Sequence, residues 1–406
     1  MRTGARQTQN TILKNATVPQ HWLWAYTTVR PSITTISDPA ELAKFSDVWD
    51  ELIRRCSTSP LFLTGFVKEV MELNRSRGWS PLLLCLAKDG VTIGVAALMT
   101  RIQFGIRYAR FLLDPWCSPD FVIEDSCREL CIRLIVEHLF QTLHCAILDL
   151  TLPADSPNVG ILGIVCESSG LHSCKRAASG HNIIRVKGTW DEFRAARGRN
   201  FRKYFKGLER RLDRSGSWRI VRLSCDGRDP GAIERIHWVE KMSWKEAWRK
   251  RKGKTDEDLL LALRGSATTA RRELDFRPWG CFLELGGQTL AYVLVLEYKA
   301  VAILLKTSFD ERFGEYYPGT YSLNESIRQL FDEGRVTTID FVIDLPFHSR
   351  WSPTCLGRIR VVICRGHVSS IVVRFLTGNA QTKLFAIVRT ITSTFPFSRR
   401  LERCMS

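Results

Sequence analysis

VAILLKTSFDERFGEYYPGTYSLNESIRQLFDEGRVTTIDFVIDLPFHSRW (301–351) reads as strand, loop, helix, strand, loop. An apolar strand covers 301–307, and the loop FDERFGEYYPG (309–319) follows. The pattern predicts a helix over 320–333, a second strand over 336–342, and then the polar loop IDLPFHSRW. Two strands connected through a helix can run parallel. Pro318-Gly319 stands directly before the helix. The first N–H groups of a helix have no partner within it, and the helix dipole adds partial positive charge there. That end suits a phosphate, although Pro-Gly before a helix more often marks a plain turn. Asp340 closes the second strand, and Asp344 and His348 lie on the loop beyond it. A carboxylate and a histidine past a strand's C-terminal end fit proton transfer at the mouth of an α/β sheet. The bland alternatives are an Asp340 that pairs with an arginine and a His348 that is an ordinary loop residue.

Moving outward, the same order of elements occurs twice. In the first half, a strand-like ITTIS (33–37) precedes a helix over 40–56, with Leu42, Phe45, Val48, Trp49 and Leu52 at helical spacing. A second helix covers 63–74. PLLLCLA and VTIGVAALMTRIQF flank a Lys88-Asp89-Gly90 turn, which makes a hairpin. The strand YARFLL, a loop, a helix over 126–142, the strand AILDLTL, a helical piece over 158–170 and a strand over 182–186 complete this half. In the second half, a helix over 189–214 leads to a strand over 218–223, helices over 231–248 and 256–270, a hairpin around Gly286-Gly287, and the opening stretch. Two copies of one α/β unit, split near Gly188, account for this order better than one large sheet. The expected division is a flexible arm (1–32), two domains (33–187 and 188–364), and a basic amphipathic tail (365–406) whose helix candidate spans 381–392. That helix either packs back on the second domain or lies on an anionic membrane surface.

The chain has 406 residues, of which 45% are hydrophobic and 25% charged, which is the composition of a globular protein. No apolar run reaches the ~18 residues of a spanning helix, and the basic, polar start lacks the apolar core of a signal peptide. The expected location is the cytoplasm, with peripheral contact at the inner membrane face through the tail. Thirteen scattered cysteines form no C-x-x-C pair, so no metal site is expected. The net charge of +17 is concentrated: residues 187–254 hold 21 Lys/Arg against 9 Asp/Glu, and residues 365–406 hold 7 against 1. Clustered positive charge points to an anionic partner, or else to a solvated face.

The helix that begins at Trp190 has an apolar stripe of Trp190, Phe193, Phe201, Tyr204, Leu208 and Leu212, and Arg197 falls within it. An arginine so placed either snorkels or faces an anion in a cleft. Trp244 and Trp248 share a helical face beside Lys245, as core or as one wall of a pocket. Interleaved aromatic and basic residues also suit single-stranded nucleic acid, but no RNP, zinc-finger or helix-turn-helix signature accompanies them. Walker A, G-x-S-x-G, H-E-x-x-H and G-x-G-x-x-G are absent.

Phe309-Asp310, Phe313, Tyr317-Pro318-Gly319, Gly334, Asp340-Phe341, Asp344, Pro346 and Trp351 match the hallmark block of the CelD/BcsL-like acetyltransferases of the GNAT superfamily, which this stretch resembles. SWK (243–245), the arginine-rich helix from Trp190, SPLF (59–62) and SPDF (118–121) are similar to further blocks of that family. The resemblance covers roughly residues 35–362. It implies an α/β (α+β) fold of tandem GNAT-like domains, each a mixed, mostly antiparallel sheet flanked by helices. It also implies an acyl-CoA co-substrate and an amine acceptor, a small molecule or a glycan such as an amino sugar in polysaccharide or envelope synthesis. Tyr317, Pro318, Gly319, Thr320 and Arg197 would then bind the donor, and Trp244, Lys245 and Trp351 the acceptor. Asp340, His348 and Asp344 would be the catalytic candidates, with Asp340 or His348 taking the ammonium proton. The superfamily's usual R-G-x-G-x-G/A loop is missing, and the family's Tyr-Lys pair is Phe347-His348 here. The FemABX transferases, which share the tandem fold and use aminoacyl-tRNA, are the alternative; only there is nucleic acid expected as an enzyme's partner. A non-enzymatic nucleic-acid-binding protein is the second alternative.

Overall fold

The computed structural model describes residues 31–103, 105–114, 117–252 and 257–366. The arm expected over 1–32 and the tail over 365–406, including the 381–392 helix candidate, lie outside this range save for two residues each, and the side chain of Trp248 is also outside it. The first half runs β1 (Ser32–Ile36), α1 (Pro39–Cys56), α2 (Thr64–Ser76), β2 (Ser80–Lys88), β3 (Val91–Gln103), β4 (Ile106–Phe111), a short β5 (Val122–Ile123), α3 (Arg128–Glu137), β6 (Ile147–Pro153), α4 (Pro157–Ser168) and β7 (Leu171–Arg185). The second runs α5 (Trp190–Ala196), α6 (Gly198–Ser215), β8 (Trp218–Ser224), α7 (Pro230–Met242), α8 (Trp244–Lys252), α9 (Glu257–Ala270), β9 (Phe276–Leu285), β10 (Gln288–Tyr298), β11 (Val301–Phe309), α10 (Pro318–Glu333), β12 (Thr338–Asp340) and β13 (Thr354–Arg365).

The local chemistry explains the boundaries. Asp38 accepts the Ala40 amide at 2.7 Å and Pro39 fills the first turn of α1, so that helix starts where the sequence places a cap. Leu42, Trp49, Leu52 and Ile53 are buried, whereas Val48, expected on the same face, is exposed. The helix expected over 189–214 is two helices. Thr189 and Glu192 form a capping box at the start of α5, and Gly198 breaks the run with φ of 75°. A second break at Ser243 separates α7 from α8.

The strands join into one sheet, in the order β1-β2-β3-β4-β6-β13-β7-β12-β11-β10-β9-β8, with β5 on β3. This differs from the separate sheets expected of two units. The repeat in element order is nonetheless present: β1 and β8 lie at the two edges, β2–β4 and β9–β11 are the meanders, and β6 and β12 run parallel to β4 and β11. The last strand of each half is exchanged. β13 lies between β6 and β7, and β7 lies between β13 and β12. Apolar clusters line both faces. One of them joins β8–β11 to α7 and α9, and another joins α5, α6 and α10 to the opposite face. The halves also meet at α2 and α9. A Cβ on Gly265 would lie 2.5 Å from Phe66, so that position requires glycine for the close approach.

Candidate functional site

β11 and β12 pair only over Val301–Ile303 and Thr338–Asp340. β12 then ends, and the chain turns away through Val342, whose φ of 67° is held by a 2.7 Å bond from its amide to Asp340 Oδ1. β11 continues for six residues. Its register on β10 slips between Leu304 and Lys306, a bulge that bends a strand and strengthens its twist. The two strands therefore part, and a cavity of about 420 Å³ fills the gap. Val293, Leu304, Leu323, Phe341 and His348 line it from the side of α10. Trp244, Lys245, Leu305, Lys306 and Ser308 line it from the side of α7 and α8.

Gly319 and Thr320 line the slot at the start of α10. Tyr317 takes the left-handed conformation (φ 50°, ψ 48°) and offers no side-chain cap. Pro318 has no N–H, so the amides of Gly319 and Thr320 are the first-turn donors available to a ligand. Tyr317 itself is half exposed outside the slot, edge-on to Tyr204 and under the Arg211 guanidinium.

Glu240 is the polar hub beneath the other wall. Its carboxylate accepts from Tyr292 Oη at 2.7 Å and Arg249 at 2.8 Å, and Lys245 Nζ is 3.5 Å away. Burial pushes the Glu240 carboxyl up, but Lys245, Arg249, Tyr292 and Lys306 outweigh it and hold it down at about 2. Lys245 Nζ also donates to the Thr307 carbonyl at 2.7 Å. Sequence reasoning missed Glu240 and Ser308. The only signal for Glu240 was its place five residues before Lys245.

His348 is buried against Phe341 and Phe347. Burial pushes its imidazolium down to about 4, against the Ile343 carbonyl and Asp344, so the ring is neutral at pH 7. Nδ1 faces the Leu345 amide at 3.4 Å and the Asn182 side-chain amide at 3.5 Å. Both are donors, which assigns the ring proton to Nε2. Asp344 is exposed and accepts from Asn182 at 2.8 Å. Asp340 lies off the slot lining, 3.8 Å from His181 Nε2, whose Nδ1 is 3.0 Å from Ser118 Oγ. Burial pushes the Asp340 carboxyl up, against the pull of His181. Arg197 and Trp351 also stand apart from the slot. The guanidinium stacks on Phe193 and donates to the Trp351 and Phe193 carbonyls at 2.8 and 2.9 Å, and burial pushes it down to about 10. Trp351 is fully buried, with its indole N–H 3.3 Å from Asn324 Oδ1. The slot thus gathers Gly319, Thr320, Trp244, Lys245 and His348, and leaves Asp340, Asp344, Arg197, Tyr317 and Trp351 outside its lining.

Residues 199–348 match the acetyltransferase (GNAT) domain family. That stretch resembles a GNAT domain. It contains the slot and all of the residues that line it. The fold as a whole is similar to FemX, with a TM-score of 0.52 at 13% identity over 81% of this chain and 96% of that one. It is also similar to the C-terminal domain of a putative lysylphosphatidylglycerol synthetase from Agrobacterium fabrum, with a TM-score of 0.51 at 11% identity over 82% and 96%. A conserved protein of unknown function from Bacteroides thetaiotaomicron gives 0.51 at 10% identity over 82% and 100%. At these identities the likeness is one of fold. No curated protein matches the sequence. Among the described residues, no helix is long and apolar enough to cross a membrane, and no His/Cys/Asp/Glu cluster could hold a metal.

Proposed function

We propose that the slot transfers an acyl group from acyl-CoA to an amine. The observation that carries this reading is the parting of β11 and β12 with an uncapped helix N-terminus at one side of the gap. The amides of Gly319 and Thr320 would take the donor's pyrophosphate, with Pro318 and Tyr317 setting the turn. Beyond Ile303 the edge of β11 is no longer paired with β12, and its peptide groups suit the amides of a pantetheine arm. The thioester would then lie in the slot, where apolar walls exclude water. The amine arrives neutral, its nitrogen bonds to the acyl carbon, and the C–S bond breaks. The nitrogen sheds a proton, and the departing thiolate gains one. His348, with its proton on Nε2, suits donation toward the developing negative charge better than the proton abstraction expected of it. Asp340 would act at one remove, through the turn at Val342. An amino sugar in polysaccharide synthesis is the acceptor this reading keeps from the resemblance, and Trp244, half exposed, offers a flat apolar face for a sugar ring.

Calorimetric titration with acetyl-CoA, a long-chain acyl-CoA and free CoA tests the donor. Micromolar binding that prefers an acylated form is expected, and no binding to any of them removes the reading.

One observation favours a second reading. A groove of about 1140 Å³ between α6, β8 and α10 is lined by Arg199, Arg202, Lys203, Lys206 and Arg210 of α6, with Arg194 and Arg328. Such a groove suits a polyanion, as an aminoacyl-tRNA donor would require. Binding of tRNA that falls steeply with salt while CoA fails to bind would put this reading first. Equal binding of generic RNA, without transfer, would favour a nucleic-acid-binding protein.

A further inference from the structure

We infer that Leu305 limits the donor to a short acyl chain by closing the inner end of the slot. The inference rests on the acyltransferase reading and adds the donor's chemical class. The slot has a direction. Its outer end is at Phe309, where a Cβ on Gly319 would lie 3.2 Å from the phenyl ring, so the phosphate cradle stands there. Its inner end is where β11 and β12 come together, at Ile303 and Asp340. From Phe309 to Leu304 the strand covers about 17 Å, enough for an extended pantetheine arm laid along its free edge. The donor's sulfur then arrives beside Leu304 and Leu305, and the acyl group meets whatever lies beyond them.

The bulge in β11 decides what lies there. Leu294 pairs with Lys306 and Val295 with Leu304, so Leu305 is the extra residue of the bulge and has no partner on β10. A bulge re-aims the side chain it carries. Leu304 joins the cluster of α5, α6 and α10, whereas Leu305 turns to the other face and packs against the cluster of α1 and α2 and that of α7 and α9. A separate void lies behind Leu305, too narrow for a water molecule. Its other walls are Leu61, Phe66 and Val70 in and before α2, Leu113 after β4, and Leu261 and Ala262 of α9. Among the described residues no polar side chain lines it. Leu305 is the one residue that lines both the slot and the void, so its side chain is the partition between them. A short acyl group stops before this partition. A longer one has to push Leu305 into a space already too small for it, and overpacking of this kind is unfavourable. Apolar walls offer nothing to a polar ligand, so removing the partition extends the site for hydrocarbon alone.

The test is calorimetric titration of the parent and of Leu305 variants with free CoA and with acetyl-, butanoyl-, hexanoyl- and octanoyl-CoA, which needs no acceptor. The parent should bind acetyl-CoA at least as tightly as free CoA and lose roughly tenfold in affinity by octanoyl-CoA. Leu305→Ala joins the slot to the void and should reverse the order. Each methylene fully buried in apolar space adds about fourfold, so hexanoyl-CoA should bind this variant at least about tenfold more tightly than acetyl-CoA. Adding Leu61→Ala deepens the joined space and should carry the optimum to octanoyl-CoA. Leu305→Met keeps the side chain's size but makes it flexible, which holds the test open should the alanine variant fail to fold. It should reduce the parent's fall at hexanoyl- and octanoyl-CoA severalfold. A parent series that stays flat or rises with length overturns the inference, because the chain then leaves along the exposed faces of Trp244 and Phe347. One and the same series in the parent and the variants overturns it as well. In either case acetyl-CoA still binds, and the acyltransferase reading stands. Absence of binding to free CoA and to every acyl-CoA overturns that reading itself, and the inference with it.

Discussion

At the scale of single residues, the slot depends on groups whose charge is set by burial. His348 is the clearest case. Its imidazolium is pushed down to about 4 in the folded chain, against an ordinary value of ~6.5. Between these values the unfolded chain binds a proton that the folded chain refuses. Stability therefore falls as pH falls through this window, by on the order of 3 kcal/mol at its lower end. Urea unfolding at pH 7.5 and pH 4.5 measures the loss, and His348→Asn should show a smaller one. An identical pH dependence in the variant would mean that the ring is not buried neutral. Gly319, Thr320, Trp244, Lys245 and His348 were legible in the sequence because a helix start, an aromatic beside a lysine and a loop after a strand are local patterns. Glu240 and Ser308 were not legible. One is an ordinary glutamate on a helix and the other a serine in an apolar strand until the fold brings Lys245 and Tyr292 to them. Arg197 shows the reverse. Its place in an apolar stripe was visible, but its anchoring role follows from the carbonyls that come to meet it.

At the scale of elements, helix ends follow side-chain chemistry closely enough to be tested. The start of α5 is fixed by two reciprocal bonds, from the Glu192 amide to Thr189 Oγ1 at 3.2 Å and from the Thr189 amide to Glu192 Oε2 at 2.8 Å. Thr189→Ala removes the first of these and should cost about 1 kcal/mol of unfolding free energy. No residue of α5 or α6 lines the slot, so acetyl-CoA affinity should hold. A variant as stable as the parent would mean that packing of Trp190 and Phe193 alone sets this boundary. The meanders were legible because their apolar runs end in Asp-Gly and Gly-Gly turns. The first eleven residues of β7 and all of β13 were not anticipated. LHSCKRAASG carries polar residues on both faces and is mostly exposed. β13 mixes glycine and arginines with apolar residues, although Ile359, Val361 and Ile363 alternate toward the cluster beneath α3 and α4. Such strands are specified by the neighbours they join, which a single segment does not display.

At the scale of the whole molecule, the exchange of β7 and β13 decides how the chain can be divided. Element order alone suggested two units parted near Gly188, but the sheet places β13 between β6 and β7. Removing β13 leaves a gap of one strand in the middle of the sheet. Val361 and Ile363, fully buried in the first half's core, would be lost with it. The exposed edges of β6 and β7 would then offer unpaired backbone groups to other chains. The site feels the same loss, because β7 is also the neighbour of β12, and Asn182 of β7 holds Asp344 and faces His348. A chain ending at Ser352 should therefore fail as a soluble monomer, although the GNAT match at 199–348 lies wholly within it. The fragment 1–187 should fail likewise, since it lacks both β12 and β13. The full chain should unfold in urea as one transition, with fluorescence and far-UV circular dichroism superimposed. Soluble, monomeric expression of the shortened chain with native-like melting would show that each half completes its own sheet, and the slot could then be studied in the second half alone. Two separate transitions in the full chain would lead to the same conclusion by a different route.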